Sequence, residues 1–332
     1  MTTESSRPLS TTDAGQASSG PVVTIGETMV LMSTPEFGPL QHNSSLALGI
    51  GGSESNVAIG LRRLGTPTTW IGKVGADSLG DLVEREIRAE GVSVVAVRDL
   101  TAPTALMIKE RRTSSDTRVW YYRSNYAGSR LAIEDIDFDL VRTASLVHLT
   151  GISLALSPGL ADVIIEAARV AGEAGVPVSF DLNFRSKLWS IDTAREAYRK
   201  MLPLVDIVFA GDDEAAIAAG TAGSPLELAH RMLKLGAGEA IIKLGARGAV
   251  AVADGREYSQ AAVPIVPIDT VGAGDAFVAG YLSERLAGAS VDTRLRTAVA
   301  VGAYVCLSPG DWEGLPRRDE LETLGRLEPV RR

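Results

Sequence analysis

Cysteine is all but missing from this chain. Cys306 is the single thiol in 332 residues, which excludes an intrachain disulfide and any thiolate metal cluster. Histidine is nearly as scarce, and His42, His148 and His230 are too scattered for a metal-ligand spacing. No apolar run is long enough to span a bilayer. The first twenty residues, rich in Ser, Thr and Gly, lack the apolar centre of a signal peptide. The expectation is a soluble cytoplasmic protein with a disordered tail over residues 1–20 and no membrane partner. Basic residues are also in deficit, 33 Lys and Arg against 41 Asp and Glu, for a net charge of −8. That balance argues against a nucleic-acid partner, because a phosphate backbone demands a basic surface. It does not argue against a small anionic ligand, for which a few amides and cations suffice.

What the chain does contain is ample for a core, with 45% apolar residues and 34 glycines. Order is expected from about Pro21. Strands are predicted at Val22–Ile25, Met29–Met32 and Trp70–Val74, and a helix over Ser55–Leu64 that stops at Gly65. Ser78 with Asp81 reads as a capping-box variant opening a helix that ends at Gly91. Ala105–Lys109 and Arg118–Tyr122 read as a hairpin, which with residues 29–48 forms a small exposed sheet suited to a lid. From Leu146 onward, strands at Leu146–Leu149, Val178–Phe180, Ile207–Phe209, Ala240–Leu244 and Ala249–Ala253 alternate with helices near 158–174, 191–202, 212–220 and 224–236. That is the pattern of a mostly parallel sheet covered on both faces. A further strand near Ala261–Val263 lies too close for an intervening helix, so that edge is expected to be antiparallel. Helices near 274–287 and 291–307 close the chain.

In an open α/β sheet, ligands bind at the carboxyl ends of the strands. Gly272-Ala273-Gly274-Asp275 is followed by the apolar run Ala276-Phe277-Val278-Ala279-Gly280-Tyr281. Small residues expose successive backbone N–H groups at a helix N-terminus, where the helix dipole favours an anion. This suits a transferring phosphoryl group, with Asp275 placed to take a proton from an attacking hydroxyl. An ordinary glycine turn with a helix-start acid has the same composition. Asp181-Leu182-Asn183-Phe184-Arg185 puts three polar residues two apart, so Asp181, Asn183 and Arg185 would share one face of an extended chain. They would hold an anionic or polyhydroxyl ligand, or Asp181 and Arg185 would satisfy each other. Gly51-Gly52 with Asn56 reads as a hydroxyl-binding helix start or as a plain cap. Lys243-Leu244-Gly245-Ala246-Arg247-Gly248 reads as a nucleotide-binding strand end or as a turn. Tyr121 and Arg123 share a face of the lid hairpin and could cover a substrate carboxylate. His148 is expected to be a core residue, as is Cys306. The common P-loop, the dinucleotide fingerprint and the protein-kinase signatures are all missing.

The order of these motifs resembles the ribokinase-like (PfkB) carbohydrate kinases. Gly51-Gly52 with Asn56 comes first, then Gly72-Lys73-Val74-Gly75 with Asp77 and Gly80. Glu214, Lys243-Leu244-Gly245 and the run Asp269-Thr270-Val271-Gly272-Ala273-Gly274-Asp275-Ala276-Phe277 follow. The resemblance spans Val22 to about Leu324. It implies a three-layer α/β fold over residues 21–332 with a β-sheet lid drawn from about 29–49 and 102–124. It further implies transfer of a phosphoryl group from ATP, with Mg2+, to a substrate hydroxyl. Tyr121-Tyr122-Arg123, His148-Leu149-Thr150-Gly151 and Asp181-Leu182-Asn183-Phe184-Arg185 with Leu188-Trp189 are similar to the 2-keto-3-deoxygluconate kinases within that family. That likeness implies Tyr121, Arg123 and Arg185 on a sugar acid, Gly51, Gly52 and Asn56 at its hydroxyl end, and Asp275 as base toward the C6 hydroxyl. Lys243, Gly245, Gly248, Gly272 and Gly274 would serve ATP, and Glu214 the metal, through water. A monovalent cation and a homo-oligomer are compatible with the resemblance. Gly211 departs from the asparagine usual three residues before the glutamate, and Met107 from a lid tyrosine. Fructokinase, ribokinase and a related deoxy-sugar-acid kinase are the alternatives within the family, and a non-catalytic sugar or nucleotide sensor is the alternative outside catalysis.

Overall fold

Short runs rich in Val, Ile, Leu and Phe supply the central strands, and residues in them alternate between two packed faces. The computed structural model describes residues 20–113, 116–321 and 324, so residues 1–19 of the expected tail lie outside the described residues. The chain runs β1 (Val22–Ile25), β2 (Met29–Ser33), β3 (Ala47–Gly51), α1 (Ser53–Arg63), β4 (Thr68–Gly75), α2 (Ser78–Ala89), β5 (Ser93–Asp99), β6 (Leu106–Arg111) and β7 (Thr117–Tyr122). It continues through α3 (Phe138–Arg142), β8 (Leu146–Thr150), α4 (Gly151–Leu156), α5 (Pro158–Glu173), β9 (Val178–Asp181), α6 (Ile191–Met201), β10 (Ile207–Gly211), α7 (Asp212–Ala219) and α8 (Pro225–Lys234). Then come β11 (Glu239–Lys243), β12 (Ala249–Ala253), β13 (Arg256–Gln260), α9 (Ala273–Leu286), α10 (Val291–Val305) and α11 (Arg318–Leu321).

Nine strands form the large sheet in the order β13-β12-β11-β10-β9-β8-β1-β4-β5. Its strands are parallel from β5 to β11, and the β11–β12 and β12–β13 pairs are antiparallel. Period-two alternation divides the core. On β10, Val208 and Ala210 pack toward α5 to α8, whereas Ile207 and Phe209 pack toward α1, α9 and α10. Burying each such large side chain contributes about 1.5–3 kcal/mol. No described helix is long and apolar enough to cross a membrane.

The strand expected near Ala261–Val263 is not there. Asp254 and Gly255 both adopt positive φ, 51° and 70°, so the chain turns back at once and β13 starts at Arg256, paired with Ala253. An Asp-Gly pair between apolar runs is the signal for such a two-residue turn. The helix expected from Ser78 is capped one residue earlier. Asp77 accepts the Gly80 N–H at 2.8 Å and also takes the Thr104 N–H and hydroxyl, which ties the start of α2 to the entry of β6.

The second sheet has four strands in the order β3-β2-β6-β7, drawn from the two segments outside the main alternation. Its β2–β6 pair is parallel and the rest antiparallel, so β6 and β7 pair as a hairpin that docks beside β2.

Candidate active site

Asp275, the third residue of α9, is half-buried at the carboxyl edge of the large sheet, and two residues of α1 hold its carboxylate. Ser53 Oγ donates to Oδ1 at 2.7 Å and Asn56 Nδ2 donates to Oδ2 at 2.9 Å. Three residues apart on a helix, Ser53 and Asn56 present one face. Asn183 extends the chain, donating from Nδ2 to Ser53 Oγ at 2.8 Å. Burial raises the Asp275 pKa above the usual carboxylate range, while the two hydrogen bonds and the charges of Lys243 and Arg185 oppose that rise. A carboxylate in this position is a stronger proton acceptor than one in water. Asn56 Oδ1 is buried and makes no hydrogen bond within the protein.

Gly272 caps α9 with φ 77°, and a Cβ there would collide with the Asp311 carbonyl oxygen. Glycine therefore satisfies two constraints at once, the left-handed backbone and the close approach. The opening turn of α9 leaves the first N–H groups of the helix outside its own ladder, beside the Asp275 carboxylate. Lys243 Nζ lies 3.5 Å from where a Gly274 Cβ would be.

Lys243 ends β11 and donates to Asp181 Oδ2 at 2.6 Å. Burial alone would lower its pKa, but Asp181 and Glu214 outweigh this and hold the ammonium charged. The lysine predicted to serve ATP thus has a carboxylate partner inside the protein, and it also lines a cavity of about 450 Å³. That cavity includes Gly245, Gly248, Ala273 and Gly274, and its far wall is Phe277, Val299, Ala303 and Cys306. An apolar slot ending at a glycine-lined helix start fits a flat apolar ring system carrying phosphates. A larger cavity of about 620 Å³ lies between Arg63, Tyr304 and Leu315. It includes neither Asp275 nor the glycine loop.

The shared face expected for Asp181, Asn183 and Arg185 does not form. β9 ends at Asp181 and Asn183 takes φ 41°, so the alternation breaks there. Asp181 pairs with Lys243 rather than Arg185, and Arg185 is exposed, donating to the Phe184 carbonyl at 3.0 Å. Arg123, expected to share a face with Tyr121 and cover a substrate carboxylate, already has a carboxylate partner within the protein. It is buried against Glu27, with Nη2 to Oε2 at 2.5 Å and Nε to Oε2 at 2.8 Å. Its guanidinium lies 5.7 Å from the Tyr121 ring centroid, and Lys187 Nζ is 5.9 Å from the same ring. The loop after β9 therefore faces β7. Gly51 faces Met107 and Asp311, so that a Cβ would stand 2.5 Å from Met107 Cε. Gly52 packs against the backbone at Glu27 and Thr28.

Glu214 is partly buried at the start of α7. Its carboxylate accepts the Phe184 N–H at 2.9 Å and the Gly211 N–H at 2.7 Å, and burial raises its pKa, partly offset by Lys243. Among the described residues no group of three or more His, Cys, Asp and Glu could hold a metal by itself. Asp181 Oδ1, however, is buried without a partner in the protein, and Glu214 is close enough to act on Lys243. That donor set fits a Mg2+ whose remaining ligands are phosphate oxygens and water.

Sequence reasoning passed over several participants. Ser53 was legible as the residue one helical step from Asn56. Glu27 follows a buried strand directly, but nothing local announces its pairing with Arg123. Lys109 and Asp311, both buried, carry no motif. His148 is a core residue as expected, bonded through Nδ1 to Ser179 Oγ at 3.0 Å, with burial driving its pKa down to about 3.

These features are shared with known proteins. A family model described as pfkB family carbohydrate kinase matches residues 20–318. The chain is 36% identical to 2-dehydro-3-deoxygluconokinase of Bacillus subtilis (strain 168), over 90% of this chain and 93% of that one. It is 34% identical to 2-dehydro-3-deoxygalactonokinase of Haloferax volcanii, over 87% and 92% respectively. Among solved structures, one from E. coli described as ribokinase II in complex with ATP and Mg2+ superposes with a TM-score of 0.85. It is 26% identical and covers 92% of this chain and 98% of that one. The chain therefore belongs to the pfkB family of carbohydrate kinases, ATP-dependent phosphotransferases that act on a sugar hydroxyl.

Proposed function

We propose that the protein phosphorylates the C6 hydroxyl of 2-keto-3-deoxygluconate. The observation that carries the reaction is Asp275, half-buried, gripped by Ser53 and Asn56, and set at the first turn of α9 beside Gly272–Gly274. Asp275 takes the hydroxyl proton as the oxygen forms its bond to the γ-phosphorus and the bond to ADP breaks. Gly272 and Gly274 present N–H groups to the charge that develops on the transferring group, and the Ala273 N–H between them, which donates to the Thr270 carbonyl at 3.3 Å, would join them by giving up that bond. The triphosphate lies along Lys243, Gly245 and Gly248, with the purine in the slot against Val299 and Cys306. Asp181 and Glu214 would hold Mg2+ through water, and the ion supplies neutralisation of the phosphate charge. The four-stranded sheet acts as a lid, limiting loss of the phosphoryl group to water.

A sugar acid is favoured over a neutral sugar by Arg185. It is exposed, its charge reaches Asp275, and its loop faces Tyr121. Arg123, neutralised by Glu27, would orient Tyr121 and lend its remaining N–H groups rather than a free charge. Relatives named for the gluconate and the galactonate series support a 2-keto-3-deoxy acid, and the two substrates differ at C4. ADP release measured against both acids, fructose, ribose and gluconate tests the assignment. Turnover on fructose or ribose exceeding that on both keto-deoxy acids would replace it with a neutral-sugar kinase.

A further inference from the structure

Lys109 is a buried lysine on β6 of the small sheet, and its ammonium sits between two carboxylates of the main body. Nζ donates to Asp269 Oδ2 at 2.8 Å and stands 3.6 Å from Asp311 Oδ1. Lys109 and Asp311 side chains are less than a tenth exposed. A buried cation is kept in such a place only where its partners compensate the lost hydration.

Both partners belong to the segments that shape the glycine loop. Asp269 Oδ1 accepts the Val271 N–H at 3.1 Å, fixing the turn that leads into Gly272. Asp311 places its carbonyl where a Cβ on Gly272 would stand, so its backbone sets how closely that glycine can approach. The Asp311 carboxylate turns the other way, toward Gly51 and Lys109. Its Oδ1 makes no hydrogen bond within the protein, and burial pushes its pKa up to about 6, with Lys109 opposing. A phosphoryl group arriving at residues 272–274 would otherwise meet uncompensated negative charge from both acids.

We infer that Lys109 is a positioning residue for phosphoryl transfer: its ammonium clamps Asp269 and Asp311, holds the glycine loop in shape and cancels the acidic charge beside it. Because the lysine comes from the small sheet, the placement of that sheet and the shape of the loop are coupled through one contact. The inference rests on assigning the Gly272–Gly274 loop to the transferring group.

Lys109→Gln keeps a donor and removes the charge. Its kcat is expected to fall about tenfold or more, with KM for ATP and for the sugar acid within about threefold of the parent. Lys109→Ala opens space for a small cation between the two carboxylates. Ammonium chloride should raise its kcat at least about threefold, and tetramethylammonium chloride at equal ionic strength should not. A Lys109→Gln kcat within about twofold of the parent overturns the inference, as does a Lys109→Ala enzyme indifferent to ammonium. Asp275→Asn run in parallel separates the two failures. If it retains turnover, the loop assignment itself falls, whereas its loss beside an unaffected Lys109→Gln sinks only the role of Lys109.

Discussion

Gly60 of α1 faces Ala279 of α9 so closely that a Cβ on the glycine would lie 2.7 Å from the Cβ of the alanine. Each residue stands four places along its helix from a member of the hydrogen-bonded pair Asn56 and Asp275. This approach sets the separation at which the Asn56 amide reaches the carboxylate at 2.9 Å. Gly60→Val is expected to force the helices apart at a cost of about 1–3 kcal/mol. The diagnostic outcome is a fall in kcat out of proportion to the loss of thermal stability. A variant that loses stability and keeps kcat would show that the contact serves packing alone.

Asp275→Asn retains the shape of the side chain and removes the base. Turnover should drop by about 10²–10⁴-fold, the range a positioned general base supplies. Binding of the sugar acid, followed by calorimetry, should change far less. Because Asp275 has a raised pKa, kcat/KM in the parent should decline on the acid side at a higher pH than an ordinary aspartate would impose. Asp275→Asn should show no such acid limb. A parent profile flat down to pH 4 would contradict the assignment of the base.

The two arginines should separate cleanly. Arg185 is exposed and free of any carboxylate partner among the described residues, so Arg185→Ala should raise KM for a sugar acid by about 10–100-fold. KM for ATP and the melting temperature should hardly move. Arg123→Met leaves Glu27 buried without its cation, which costs about 3–5 kcal/mol, and its main effect should be a lower melting temperature. Reversal of these two patterns would return Arg123 to the substrate and take Arg185 away from it.

How much of this could be read from the chain depends on how local each cause is. The parallel sheet and its antiparallel edge were legible because short apolar strands alternate with helices from Leu146 onward, while the chain after β12 leaves no room for a helix before the next strand. The edge strand was misplaced by several residues, since the Asp254–Gly255 turn weighs more than the apolarity of Ala261–Val263. Asp275 and Gly272 announce themselves through a helix start with small residues. The Asp181–Lys243 bond at 2.6 Å joins residues 62 positions apart, on strands separated by β10. No spacing rule predicts such a pair. Asn183 escaped the expected shared face because one left-handed residue breaks the alternation that the spacing of Asp181, Asn183 and Arg185 presupposes. Glu27 and Arg123 were separable only by their pairing across the two sheets.

Glu54 gives a stability prediction with a definite sign. It is buried beside Asp275 on α1, with the Thr150 and Ser153 hydroxyls each donating to Oε1 at 2.7 Å. Burial raises its pKa from 4.5 to about 7, the hydrogen bonds opposing. Between those two values the unfolded chain has lost the proton and the folded one keeps it. Stability should therefore fall as pH rises from about 4.5 to 7 and level off above, by about 3 kcal/mol at most. Glu54→Gln should remove that slope, so the parent and variant unfolding free energies converge at low pH and diverge toward neutrality. Parallel curves across the window would place the proton elsewhere.

Cys306 offers a reporter on the slot proposed for the nucleotide. It is the only cysteine of the chain, is buried to 6% exposure and lines the cavity that ends at Lys243 and Gly274. Burial raises its thiol pKa, and the Asp269 charge adds to the rise, so the reactive thiolate is scarce at neutral pH. Alkylation by iodoacetamide should be slow at pH 7 and quicken as pH rises toward and past the ordinary thiol range. ATP should protect the thiol, because a purine seated against Val299 and Ala303 covers the same wall. The sugar acid alone should not, since the site proposed for it is at Asp275 and Arg185, neither of which lines the slot. Protection by ATP with none by the acid would place the two ligands on opposite sides of the loop. Protection by the acid alone would assign the slot to the sugar and invert the proposed arrangement.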